Sequence, residues 1–156
     1  MSATTPRPEL VRGILSLSTA HKWDSARSEW RLFSIQMLAS GDGYTCLCGH
    51  TPIRELCHLE NVTNNNTTIV GNCCVNQFLG LHSEAIFSGL RRIRNRIEGS
   101  LSKAAIEYLH EVGWLNDWEY GFYLNIRCKR SLSVRQREKK LALNRRVLER
   151  VMRRAA

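Results

Sequence analysis

Long apolar runs are missing from this sequence of 156 residues, although 43% of the residues are hydrophobic. No stretch approaches the roughly 18 consecutive apolar residues that cross a bilayer. The first residues, MSATTP, lack the basic and then apolar pattern of a signal peptide. We therefore expect a globular cytoplasmic protein, either one ordinary domain or a small nucleus with an appended helical part.

Several patterns that carry catalysis are also absent. The chain has no His-Glu-x-x-His pair, no His-x-Glu with Cys-x-x-Cys as in the zinc deaminases, and no glycine loop of the kind that cradles phosphate. It has no internal repeat and no low-complexity segment. We therefore expect a protein that is not an enzyme.

Acidic side chains are the scarcer charged class, with 14 Asp and Glu against 23 Lys and Arg, which gives a net charge of +9. Residues 127–156 alone hold twelve of the basic and two of the acidic side chains, a local surplus of +10. The other 126 residues have eleven basic and twelve acidic side chains, a balance of −1. A basic C-terminal arm on a near-neutral body indicates a polyanionic partner, with nucleic acid as the first candidate.

The cysteines are few but concentrated, since five of the six lie between residues 46 and 74. In a reducing compartment such clustered thiols bind metal more often than they form disulfides. Cys46, Cys48, Cys57 and Cys74 have the spacing C-x-C-x8-C-x16-C. Four thiolates describe a closed tetrahedral zinc site, which has no position open to water. The spacing therefore predicts one structural Zn²⁺.

Three neighbouring residues are alternative ligands. Cys73 would need only a slight rotation of the helix start to replace Cys74, and His50 and His58 are the other candidates. Cys128 lies far along the chain in a basic segment, and we do not expect it to bind the metal.

The residues between the ligands predict a knuckle, a hairpin and a helix. Gly49 should allow the knuckle to turn, and Gly71 should adopt a conformation that a residue with a Cβ would resist. Residues 55–61 and 67–70 predict two strands, and residues 73–79 the first turns of a helix. The positive end of the helix dipole favours a thiolate there. This order is the plan of a treble-clef-like zinc domain with a β-hairpin.

Helices are predicted on both sides of the hairpin. Pro8 should open one, Asp24 should cap a second, and the pattern over residues 32–38 turns towards strand. Four further helices should begin at capping residues, namely Ser83, Ser100, Asn116 with Glu119, and Ser133 with Gln136.

The predicted fold class is α+β and helix-rich, in one structural unit with three parts. Residues 1–40 would form N-terminal helices packed on the zinc nucleus, and residues 41–80 the knuckle, hairpin and helix. Residues 81–156 would form a helical bundle that ends in a basic helix.

The cysteine region resembles a family of small uncharacterised zinc proteins found in bacteriophages, giant viruses, plasmids and bacteria. Matching residues occur in order at Cys46, Cys48, Gly49, Ile53, Arg54, Cys57, Leu59, Asn61, Val70, Gly71, Cys74, Val75 and Phe78. The resemblance extends weakly to Glu29-Trp30 upstream and to Trp118-Glu119-Tyr120 and Leu132-Ser133-x-x-Gln136 downstream. Other members often have His where this chain has Cys57. It implies a zinc-bearing accessory protein of mobile elements or defence, and no particular reaction.

The last helix is expected to place apolar residues on one side, namely Val134, Leu141, Leu148, Val151 and Met152. Its opposite side, together with a cluster at residues 91–96, would form a surface for the phosphate backbone of DNA or RNA. The residues of that surface are Arg91, Arg92, Arg94, Arg96, Arg135, Lys139, Arg146, Arg150 and Arg153. The alternative is a protein-binding adaptor or inhibitor that docks on an acidic partner surface.

Overall fold

The computed structural model describes residues 5–79 and 83–152. This part of the chain forms seven helices and one antiparallel sheet of three strands, so the predicted α+β, helix-rich class is confirmed. Two compact units are present, Met1–Leu81 with Met152–Ala156 and His82–Val151. Among the described residues, no helix is both long and apolar enough to cross a membrane.

The sheet has the order β1 (Trp30–Met37), β2 (Glu55–Asn61), β3 (Thr67–Gly71). The predicted hairpin of β2 and β3 is therefore confirmed, and Asn65 adopts φ 63° in the tight turn between them. The prediction for Gly71 is wrong, because its φ is not positive and a Cβ there would meet only Ile53, at 3.5 Å.

Three helices complete the first unit: α1 (Pro8–Leu17), α2 (Trp23–Arg27) and α3 (Asn72–Leu79). Phe78 of α3 packs against the rings of Trp23 and Trp30, with centroids 5.5 and 6.5 Å away, which places these aromatics in the core. Asp24 does not cap α2, because the helix begins one residue earlier, with Lys22 at the cap position and no side-chain cap bond.

The second unit contains α4 (Ser83–Asn95), α5 (Lys103–Glu111), α6 (Asp117–Ile126) and α7 (Val134–Met152). The capping box of α6 is confirmed, and Ser133 and Gln136 form the reciprocal bonds of a capping box before α7. Ser102, not Ser100, caps α5, since its Oγ accepts from the Ala105 N–H at 3.2 Å.

The rotation of α7 differs from the predicted one. Its buried residues are Leu143, Asn144, Val147 and Val151, whereas Val134 is 71% exposed and Leu141 and Leu148 are half-buried. The buried stripe includes Asn144, a polar residue that apolar periodicity does not identify. The charged residues of α7 therefore lie on other faces than the sequence predicts.

Candidate metal centre and basic surface

The segment before β2 folds back on itself and presents two cysteines. Tyr44 and Ile53 form an isolated antiparallel bridge, and inside it the Cys46 N–H donates to the His50 carbonyl at 2.9 Å. The Gly49 N–H donates to the Cys46 carbonyl at 2.8 Å, and Gly49 has φ 91°. The predicted role of Gly49 in the turn is therefore confirmed, since a residue with a Cβ would be strained at this φ.

Cys46 and Cys48 of this turn meet Cys74 from the first turn of α3. All three side chains are buried, and their Sγ atoms lie within 4.8 Å of one another. A zinc–sulfur distance of about 2.3 Å in tetrahedral geometry places two sulfurs about 3.8 Å apart, close to this spacing. The three thiols could thus hold a metal ion with little rearrangement.

The surroundings of the cluster favour thiolate at one position. Hydrogen bonds from the Cys74 thiol and from the backbone N–H groups of Cys48 and Gly71 lower the pKa of Cys46 to about 5. The Gly71 nitrogen lies 3.2 Å from Cys46 Sγ. The bond to Cys46, together with burial and the Cys46 charge, raises the pKa of Cys74. These surroundings favour the thiolate form of Cys46, the form that binds a metal cation.

Arg7 lies beside the thiols, a contact that the sequence did not reveal. Its Nη1 atom is 3.7 Å from Cys48 Sγ, and that contact raises the pKa of Arg7. Arg7 precedes α1 and is 41 positions from Cys48, so no local pattern connects the two residues. A guanidinium at this place offsets part of the negative charge of the thiolates.

The remaining predicted ligands lie elsewhere. Cys73 is exposed and His50 is exposed, and neither belongs to the group of three. His58 Nε2 is 3.0 Å from Gln36 Oε1, and burial lowers the pKa of His58. Of the two adjacent cysteines, the structure brings Cys74 to the cluster and leaves Cys73 outside it.

Cys57, the predicted third ligand, is also outside the group. It is fully buried in β2, where burial first, and then the charges of Glu55 and Cys46, raise its pKa to about 12. Burial of this kind disfavours the charged thiolate, and the side chain packs here as a small apolar group. Its assignment as a ligand stays a prediction.

Four of the nine predicted nucleic-acid contacts are engaged inside the second unit. Arg146 Nη1 is 2.7 Å from Oε2 of the buried Glu119, and its Nη2 donates to the Trp114 carbonyl at 3.2 Å. Arg150 lies over the Trp114 ring at 4.6 Å, and Lys139 over the Trp118 ring at 5.3 Å. Arg91 pairs with Glu84. These cations contribute to packing within the unit.

Other predicted contacts are more available to solvent. Arg94 and Arg135 are exposed and have no ion pair or hydrogen bond among the described residues. Arg92 donates to the Ser100 carbonyl at 3.3 Å, and Arg96 approaches Glu98 at 3.5 Å, both at the surface. Arg153 lies outside the described residues.

No family model matches this chain, and comparisons with curated proteins and with solved structures give no significant match.

Proposed function

We propose that this chain is a zinc-stabilised accessory protein that binds the phosphate backbone of nucleic acid through basic side chains of its helices. The observation that carries the proposal is the surplus of +10 in residues 127–156, against −1 in the rest of the chain. Such a separation of charge favours a polyanionic partner. The resemblance adds the proposal that the protein is a subunit of a nucleoprotein complex of a mobile element, phage or defence system.

The metal in this proposal is zinc with a structural role. Three buried thiols from the knuckle and α3 supply the soft ligands that zinc prefers. The knuckle, the β2–β3 hairpin and α3 occur in the order of a treble clef, and the metal would join the first of these to the last. A cross-link of this kind stabilises a segment that has few apolar residues of its own.

The nucleic acid in this proposal is bound without reading of bases. The exposed cations of the second unit are Arg and Lys, which bind phosphate oxygens as charges and hydrogen-bond donors. Binding of this kind is strong at low salt and independent of sequence.

Electrophoretic shift of labelled DNA and RNA duplexes and single strands at low salt tests the proposal. We expect retarded complexes for unrelated sequences of equal length, and nucleic acid that co-purifies with the protein. If the protein neither shifts any of these probes nor carries nucleic acid on purification, the proposal is wrong. In that case the adaptor hypothesis, in which the basic surface docks on an acidic protein, replaces it.

A further inference from the structure

A groove in the second unit is lined by several basic side chains. Its volume is about 460 Å³, and it lies between the segment after α4 and the segment that leads into α7. Five cations and a single acid line it: Arg96, Lys129, Arg130, Arg137, Lys140 and Glu98. Lys129, Arg130, Arg137 and Lys140 are absent from the surface that the sequence predicts.

We propose that this groove is the phosphate-binding site of the protein, and that its occupant is the backbone of a nucleic acid. The inference rests on the proposed function and narrows it to one surface. Cations that converge on a concave surface focus their field, so a phosphate there meets several of them together.

The outward face of α7 is a poor alternative. Its exposed charged residues are Arg135, Glu138, Arg145 and Glu149, two of each sign. Arg146 and Arg150 on a second face contact Glu119 and Trp114. Arg137 and Lys140 are the cations of α7 that line the groove, and no acidic residue of this helix lines it.

One wall of the groove is held against α7. The buried Asn144 of α7 donates to the carbonyls of Ile97 and Gly99 at 2.7 and 3.0 Å, and it accepts from the Tyr123 hydroxyl at 2.8 Å. These bonds hold the segment after α4 against α7. A backbone segment that is already in position loses less conformational entropy when the site binds a ligand.

Within the groove, Lys140 is the cation that water shields least. It is half-buried, its Nζ donates to Ser100 Oγ at 3.0 Å, and burial lowers its pKa. A phosphate oxygen would replace part of the hydration that this ammonium has lost. The start of α7 lies beside the groove, and its helix dipole adds positive potential there.

The test compares two double variants with equal loss of charge. Arg130→Ala with Arg137→Ala removes two cations of the groove. Lys103→Ala with Arg145→Ala removes two exposed cations of the same unit that do not line it. Circular dichroism and thermal unfolding verify the fold of both. The readout is fluorescence anisotropy of a labelled DNA strand of about 20 nucleotides and of the equivalent RNA strand, at low salt and at rising salt concentrations.

We expect the groove variant to lose at least tenfold in affinity and to show a shallower salt dependence, by about 1.4 units for two lost phosphate contacts on a single strand. The control variant should lose less than threefold. Arg130→Lys with Arg137→Lys keeps both charges and should retain most of the affinity.

Equal losses in the two alanine variants would overturn the groove assignment and leave the proposed function intact, because binding would then depend on net charge alone. No binding by the unaltered protein would overturn both. Inorganic phosphate that competes with the strand at equal phosphate concentration would also overturn the inference, since the site would then take free phosphate rather than a backbone.

Discussion

Arg146 illustrates how structure changes the role of a residue that sequence assigns to function. On charge alone it is a candidate for phosphate contact, but its guanidinium pairs with Glu119, which is only 5% exposed and also closes the capping box of α6. A carboxylate that is buried needs this partner. The main contribution of Arg146 is therefore to the stability of the second unit.

Arg146→Ala should destabilise the protein relative to Arg145→Ala, which removes an equal charge from an exposed position of the same helix. Half of the Arg146 side chain is exposed, at 51%. Solvent thus screens the pair, and we expect a loss of about 1–2 kcal/mol instead of the full cost of a buried unpaired charge. Chemical denaturation measures the difference, and equal stability of the two variants would contradict the structural role.

The same pair predicts a pH dependence of stability. The hydrogen bond from Arg146 is the main cause that lowers the pKa of Glu119 below its ordinary 4.5. A carboxyl group whose pKa is lower in the folded state stabilises the folded protein at pH values above the pKa of the unfolded state. This stabilisation is lost as the pH falls through the pKa of the folded state. Glu119→Gln should therefore be less stable than the unaltered protein at pH 7, and the difference should shrink as the pH falls below 4.5. A difference that persists in acid would argue against a charge effect.

The elements of the chain were predictable wherever neighbouring residues determine them. The β2–β3 hairpin and the capping boxes that begin α6 and α7 depend on contacts within a few positions, and all three were predicted correctly. The rotation of α7 was not, because Asn144 is buried through bonds to Ile97 and Gly99, more than forty positions away. The contact between Arg7 and Cys48 was not predicted either, because the two residues are 41 positions apart.

The three cysteines that could hold a metal ion lie in the turn before β2 and in α3, and the adjacent Cys73 and Cys74 provide a matched test of the proposed zinc site. Cys74→Ser removes one thiol of the buried cluster, whereas Cys73→Ser makes the same replacement of sulfur by oxygen at an exposed neighbouring residue. We expect about one zinc per chain in Cys73→Ser and in the unaltered protein, and markedly less in Cys74→Ser. Native mass spectrometry measures the content, and equal zinc in both variants would contradict the assignment.

Cys57→Ser tests the predicted fourth ligand separately. Reduced zinc content would support a site with four thiolates. Unchanged content would leave three thiolates and a fourth position for another donor, for which His50 and His58 are the candidates that the sequence offers.

Close packing of α4 on α5 depends on Gly89. A Cβ at Gly89 would lie 2.8 Å from the backbone nitrogen of Ser102, the residue that caps α5. Gly89→Ala should therefore lower the free energy of unfolding by about 1–3 kcal/mol through steric strain.

Gly121→Ala on α6 is the control, because a Cβ there meets nothing within 4 Å. Alanine at this exposed helical position should raise stability by about 0.5–1 kcal/mol. A neutral Gly89→Ala would show that the two helices can move apart.

At the scale of the whole molecule, the proposed zinc site and the proposed nucleic-acid site lie in different units. The first contains the cysteine cluster, and the second contains the basic groove. The excess of positive charge near the C-terminus was evident from composition, but the surface on which these cations lie was not. Composition counts cations without showing which of them pair with Glu119 or stack on Trp114.

Salt dependence of nucleic-acid binding by the unaltered protein is the most direct test of phosphate contacts in the groove. Anisotropy titrations of one duplex at several salt concentrations give the slope of log affinity against log salt. About four phosphate contacts in the groove predict a slope of about −3 to −4, with little change when the sequence of the duplex changes. Absence of binding at low salt, or an affinity that does not change with salt, would contradict the account.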